Sequence, residues 1–310
     1  MSSLLTDKKP SSFFLNRGTR FKALFALGLV CIFWGTTWIA TKQGVLHTPA
    51  LQVAGLRQFI SGLLYIFYFV LKGARWPRGK EWWPVIILAL LNFTLTNGLT
   101  TWGIQYISAG LGAIISATFP LWIVVINLFS AKTKEPPLAI IGLLLGFAGV
   151  CIIFYDHLAD LLQPDFRLGI LLSLLGAWTW AFGVIYTKKQ AASFNPYFSI
   201  GLQMLLSGSL TSIIANASGI AIPYQDIPWQ TWSAIAYLTC IGSVVTFAAY
   251  LYALQRLPTE QMSIYAYINP MVAVLLGALF FEEKLTIFIA IGGLVTLAGV
   301  NLINMAFRRK

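Results

Sequence analysis

The sequence predicts an all-α integral membrane protein of ten transmembrane helices, built as two inverted five-helix repeats. Three observations lead there. The chain has too few charges to cover a water-soluble body, it contains ten apolar runs of spanning length, and a set of landmarks recurs in order at nearly one offset. Of its 310 residues 58% are hydrophobic and only 10% are charged, whereas a soluble domain carries about 25% charged residues. The net charge of +11 would fit a nucleic-acid binder, but the basic residues sit in short clusters between the apolar runs, as in the cytoplasmic loops of membrane proteins.

A spanning helix needs about 20 mostly apolar residues. Residues 1–22 are polar and basic, with Lys8, Lys9, Arg17, Arg20 and Lys22, and read as a cytoplasmic tail. The first run, 23–41, is too long for a signal-peptide core of about 7–15 residues, so it reads as a span. The second, 50–71, encloses Arg57, the one charge clearly inside a run. The third, 83–102, is the most polar, through Asn92, Thr94, Thr96, Asn97, Thr100 and Thr101. The fourth, 109–129, opens on small residues and carries Pro120; the fifth, 138–154, carries Gly142-x3-Gly146. The sixth, 168–187, contains Trp178 and Trp180, and the seventh is 197–216. The eighth, 232–254, follows the interface anchors Trp229 and Trp232. The ninth, 261–281, holds Tyr265, Tyr267, Asn269 and Pro270, and the tenth, 285–306, holds Gly292, Gly293 and Gly299.

Lysine and arginine orient the spans. Alternate connections are basic: the N-terminal tail, then Lys72, Arg75, Arg78 and Lys80, then Lys132 and Lys134, Lys188 and Lys189, Arg256, and finally Arg308, Arg309 and Lys310. The others hold only Lys42, Arg167 and Lys284, with acids including Asp156, Asp160, Asp165, Asp226, Glu282 and Glu283. The expectation is that both termini face the cytoplasm of a bacterial cell, with the chain in its inner membrane.

The halves repeat. Trp34 and Lys42 match Trp180 and Lys188 at an offset of 146, as Gly55, Ser61 and Gly62 match Gly201, Ser207 and Gly208. After a four-residue gap the offset is 150, and Gln105, Pro120, Gly142 and Ala148-Gly149-Val150 match Gln255, Pro270, Gly292 and Ala298-Gly299-Val300. Five spans per copy is an odd number, so the second copy enters the membrane from the opposite side. Such inverted repeats recur in secondary transporters, with the binding site near the midplane; some channels share the symmetry. The expected organisation is a tail 1–22 and repeats 23–155 and 166–306.

The run Phe33-Trp34-Gly35-Thr36-Thr37-Trp38 with Lys42 resembles the first-helix signature of the EamA family, within the drug/metabolite transporter superfamily. Tyr265-Ala266-Tyr267-Ile268-Asn269-Pro270, Leu275-Leu276-Gly277 and Glu282-Glu283 resemble its ninth-helix signature, and the Gly292-Gly293 to Ala298-Gly299-Val300 segment also fits. The resemblance covers roughly residues 23–305. It implies ten helices and the transport, often export, of small metabolites or drugs. It also implies a central cavity lined by helices one to four and six to nine, with five and ten as supports.

The expected substrate-binding residues are Trp34, Trp38, Arg57, Asn92, Trp102, Trp180, Gln203, Tyr265 and Asn269. Polar and aromatic groups inside a membrane are cheapest where water or substrate meets them. Each has a plain alternative: the aromatics can simply pack, Asn92 can bond between helices, and Arg57 can snorkel to an interface instead of pairing a substrate carboxylate. Gln203 is the repeat equivalent of Arg57. Pro120 and Pro270 are expected to break the fourth and ninth helices at matching places. The small residues of the fifth and tenth spans suggest a scaffold and a homodimer contact.

No cofactor, metal or nucleic-acid partner is expected. Cys31, Cys151 and Cys240 are far apart and make no CxxC pair, and His47 and His157 fall in loops. There is no P-loop motif. The sole enzyme-like cluster, Asp156-His157 with Asp160, lacks a nucleophile. A secondary transporter of small solutes is the leading reading. A lipid or lipid-linked-sugar translocase of the same fold and, behind it, a membrane enzyme are the alternatives.

Overall fold

Lipid offers no hydrogen bonds, so an apolar chain inside it must satisfy its own backbone, and helices do this segment by segment. In the computed structural model the described residues are 17–129, 136–156, 160–189, 195–257, 259–262 and 264–308, and they form ten helices. Lys8, Lys9, Lys132, Lys134, His157, Arg309 and Lys310 lie outside the described residues.

In chain order the helices are α1 (Arg17–Val45), α2 (Ala50–Leu71), α3 (Gly79–Ile104) and α4 (Ala109–Phe129), followed by α5 (Pro137–Asp156). The second half has α6 (Pro164–Lys189), α7 (Pro196–Ala217), α8 (Trp229–Leu254), α9 (Tyr265–Phe281) and α10 (Ile287–Arg308). Eight are long and apolar enough to cross a membrane; the apolar stretches of α5 and α9 are shorter. At 17 residues α9 is about 25 Å long, and the separate turn Thr259–Met262 precedes it. The sequence expectation of one continuous run from 261 is corrected accordingly.

The two halves pack reciprocally. α2 lies along α7, and α5 along α10, in the two most extensive helix contacts. Gly62 faces Leu205 and Gly208 faces Phe59, so closely that a Cβ at either position would strike backbone. Adding the repeat offset of 146 turns one contact into the other. A Cβ on Gly142 would lie 2.6 Å from the Gly299 carbonyl oxygen, and one on Gly292 would lie 2.6 Å from that of Gly149. In both pairs residue numbers rise along one helix as they fall along its partner. Each helix is thus antiparallel to its own repeat equivalent, which is what inversion about an axis in the membrane plane requires. Gly142, Gly149, Gly292 and Gly299 are spent on the α5–α10 contact within the chain, while Gly293 meets nothing within 4 Å, and Leu144 and Leu294 are exposed on the outward faces.

Two features escape sequence periodicity. α3 and α8 each contain a wide π segment, Ala89–Asn97 and Leu238–Val245. In α3 the Thr96 hydroxyl donates to the Leu91 carbonyl, and in α8 the Thr246 hydroxyl donates to the Ile241 carbonyl, at 2.7 and 2.6 Å. These pairs are repeat equivalents at the offset of 150. A hydroxyl five residues on fills the widened ring, and such segments mark functional positions in helices.

α4 is interrupted, as Ala109–Ser116 and Phe119–Phe129. Pro120 is the second residue of the new segment, where no N–H is needed. Pro270 breaks nothing: α9 runs through it, and the carbonyl it leaves free, that of Ala266, lies in the first turn. The expectation of matched breaks therefore fails in the second half.

Candidate functional site

One cavity of about 180 Å³ sits between the halves. α1 contributes Trp34, Thr37, Trp38 and Thr41, one stripe at helical spacing. α3 adds Thr96, Asn97, Thr100 and Thr101, α4 adds Ser116, and α9 adds Tyr265, Asn269 and Pro270. Arg57 enters from α2, Trp180 from α6 and Phe247 from α8. No residue of α5, α7 or α10 lines it, so the implied lining loses α7.

Close approach of α9 to α1 depends on Gly35, where a Cβ would lie 2.6 Å from the Val272 Cβ and 3.1 Å from the Asn269 carbonyl oxygen. That approach builds an aromatic wall. The Trp34 ring lies 5.3 Å from Tyr265, 5.1 Å from Tyr250 and 5.1 Å from Phe247. The Trp34 indole N–H donates to the Gly242 carbonyl at 3.3 Å, so this wall is pinned to the π segment of α8.

The same segment receives Arg57. Its Nε donates to Ser243 Oγ at 3.3 Å, and Nη2 lies 3.4 Å from where a Gly242 Cβ would stand. About two turns further along α2, the Tyr65 hydroxyl donates to the Val244 carbonyl at 3.0 Å, a second contact to the same segment. Arg57 is 8% exposed, so it does not snorkel. The hydroxyls of Thr37, Thr41 and Thr100 bond back to their own helices. Asn269 Oδ1 and Ser116 Oγ are buried without a hydrogen-bond partner among the described residues.

Three expected residues stand elsewhere. Gln203 is buried and donates to Ser199 Oγ at 3.0 Å on its own helix. Arg57 finds room over Gly242 and Ser243, whereas the repeat-equivalent residues of α3 are the larger Asn92 and Phe93. Asn92 itself packs over Gly183 of α6, where a Cβ would collide with its amide. Its repeat equivalent, Gly242, lies under Thr37, the equivalent of Gly183. The large and small partners have exchanged helices between the two copies. Trp102 packs with Val53, Ile104 and Ile235, and its ring N–H reaches the Tyr106 hydroxyl at 3.4 Å. Pro120 also stands off the lining.

One end of the cavity is tied across the halves. Glu283, just past α9, accepts from the Ala109 and Gly110 N–H groups at 2.6 and 3.1 Å, capping α4 with Ser108. A Cβ on Gly277 would strike this carboxylate. At the same end Lys42 Nζ donates to the Ile104 and Ile107 carbonyls at 2.9 and 2.8 Å. In sequence Glu283 stands only as an acid of a connection and as part of the ninth-helix signature. The spacing Gly277-x5-Glu283, facing Gly110, is the signal that could have located it.

Comparisons with known proteins agree with this architecture. The model of the EamA-like transporter family matches residues 21–155 and again 167–305. The chain is 30% identical to the inner membrane transporter YedA of Escherichia coli (strain K12), over 86% of this chain and 84% of that one. It is 30% identical to the transporter YvbV of Bacillus subtilis (strain 168), over 90% of each. A solved crystal structure with 17% identity covers 93% of this chain and 98% of its own, with a TM-score of 0.63, and so shares the fold. That family is one of transporters, not enzymes. With two family matches that fall on its two antiparallel halves, the chain belongs to the EamA-like transporter family.

Proposed function

We propose that the protein is a secondary transporter that exports small metabolites, such as amino acids or drug-like solutes, across the bacterial inner membrane by alternating access. The observation that carries this reading is the cavity's place. It takes Trp34 from one half and its repeat equivalent Trp180 from the other. Two pseudo-equivalent halves around one midplane site can exchange openings by rocking. The Glu283 cap on α4 supports a discrete closed state at one end, because it joins the halves by hydrogen bonds that rocking would break. By the charge pattern, that end is the periplasmic one and both termini are cytoplasmic. A homodimer through α5 and α10 would have to use their outward aliphatic faces.

The test is reconstitution in liposomes preloaded with a panel of amino acids and small organic solutes. The expected outcome is saturable counterflow of at least one of them. It should be abolished when a cysteine replacing Ser116 is alkylated in a cysteine-free background. Lipid scrambling without solute counterflow would replace this reading with the translocase.

A further inference from the structure

We propose that the cavity is a site for a small monocarboxylate with a planar or apolar body. Arg57 takes the carboxylate, and the Trp34–Tyr265 wall takes the body. The proposal rests on the transporter reading and names its substrate class.

Arg57 carries unused donors. A guanidinium has five N–H groups in a fixed fork. Arg57 uses Nε on Ser243, and its Nη atoms make no hydrogen bond to any described residue. No Asp or Glu lines the cavity, and among the described residues the ion pair is elsewhere, between Arg75 and Glu81. A buried charge without a partner is costly, and interior arginines in membranes face a pathway or an opposite charge. With Nε engaged, the Nη1–Nη2 edge is left for end-on, bidentate binding of a planar oxyanion, the geometry arginine suits best.

The rest of the lining limits the ligand. Arg57 is the one cation in the lining, and Lys42, outside it, is committed to two backbone carbonyls. One free positive group calls for one negative group. A volume of about 180 Å³ falls below the usual range for drug-sized ligands of about 300–1,000 Å³, so the solute is small. Gly242 links the two subsites: its carbonyl holds the Trp34 ring, and its missing side chain leaves space at Nη2. Head and body of one molecule would therefore lie side by side.

The test uses benzoate, phenylacetate and 3-phenylpropanoate, each against its own amide. Binding is read by quenching of tryptophan fluorescence in the purified protein, and transport by counterflow in liposomes. At least one acid is expected to bind tenfold or more tightly than its amide. Arg57→Gln should abolish that preference, and Arg57→Lys should remove most of it, because a point charge cannot copy the fork. If Arg57→Gln unfolds, Ser243→Ala keeps the charge and frees Nε; it should reduce the acid preference several-fold in a protein that still folds, with a lowered Tm because a buried donor loses its acceptor. Equal binding of acids and amides, no saturable signal from any of the three acids, or an acid preference that survives Arg57→Gln would each overturn the proposal. In those cases counterflow of other solutes would leave the transporter reading intact. Failure of counterflow for every solute would instead remove that reading.

Discussion

Glu282 is the single non-glycine residue among those described with a positive φ, 54°. A left-handed conformation costs a residue with a Cβ about 1–2 kcal/mol. Here it closes α9: the N–H groups of Glu282 and Glu283 both reach back to the Gly277 carbonyl, the latter at 3.3 Å. That turn aims the Glu283 carboxylate at α4. Glu282→Gly should keep the turn and, after glycine's own entropy cost of about 0.5–1 kcal/mol, leave stability unchanged or raised by up to about 1 kcal/mol. Glu282→Val should lower Tm. Glu283→Ala strands two helix-end donors and should cost about 1.5–3 kcal/mol, while Glu283→Gln, which keeps an acceptor, should cost less. Thermal unfolding in detergent checks all four. The same Glu283→Ala protein should label faster at a cysteine replacing Thr101; an unchanged rate would show that the cap does not hold this end shut.

Among the elements, the α2–α7 pair shows how small residues set the distance between helices. Gly62 and Gly208 are reciprocal contacts, so alanine at either should destabilise similarly, by about 1–3 kcal/mol for overpacking. Gly28 of α1 has open space where its Cβ would stand and serves as the control, with no loss from contact expected. A Tm lowered equally at 62 and 208 but not at 28 is the predicted pattern; unequal losses would mean that the halves relax differently despite their matched geometry. The π segments show the reverse, symmetry in backbone with asymmetry in side chains. Leu91–Thr96 and Ile241–Thr246 make the same bond. One segment offers Asn92 and Phe93 to its surroundings, and the other Gly242 and Ser243. Only the second can admit a guanidinium, which is why Arg57 reaches the cavity and Gln203 does not.

For the whole molecule the testable quantity is topology. In a cysteine-free background, single cysteines at Lys80 and Asp226, both exposed, should label from opposite sides of the membrane. Lys80 should react from the cytoplasm and Asp226 from the periplasm. Labelling of both from one side would break the inverted arrangement, because an odd number of spans, α3 to α7, separates them.

Membrane residence, ten helices and a duplicated, inverted plan were legible in the residues themselves. Hydrophobic length, loop charge and a recurring offset are properties of the chain alone, because lipid dictates which segments must be helical before any of them meet. So was much of the lining. Trp34, Trp38, Arg57, Trp180, Tyr265 and Asn269 stand out as polar or amphipathic groups in apolar runs, and the structure brings them together at one cavity. Which polar groups merely pack was not legible. Asn92 and Gln203 look as eligible as Arg57 in sequence; the size of the residue facing each from another helix, remote in the chain, decided the outcome. The tie from Glu283 to α4 and the direction of the Arg57 fork are likewise decisions of tertiary structure. They depend on atoms 174 and 186 residues apart, and hydrogen bonds act over about 3 Å, a scale on which only packing can place a partner.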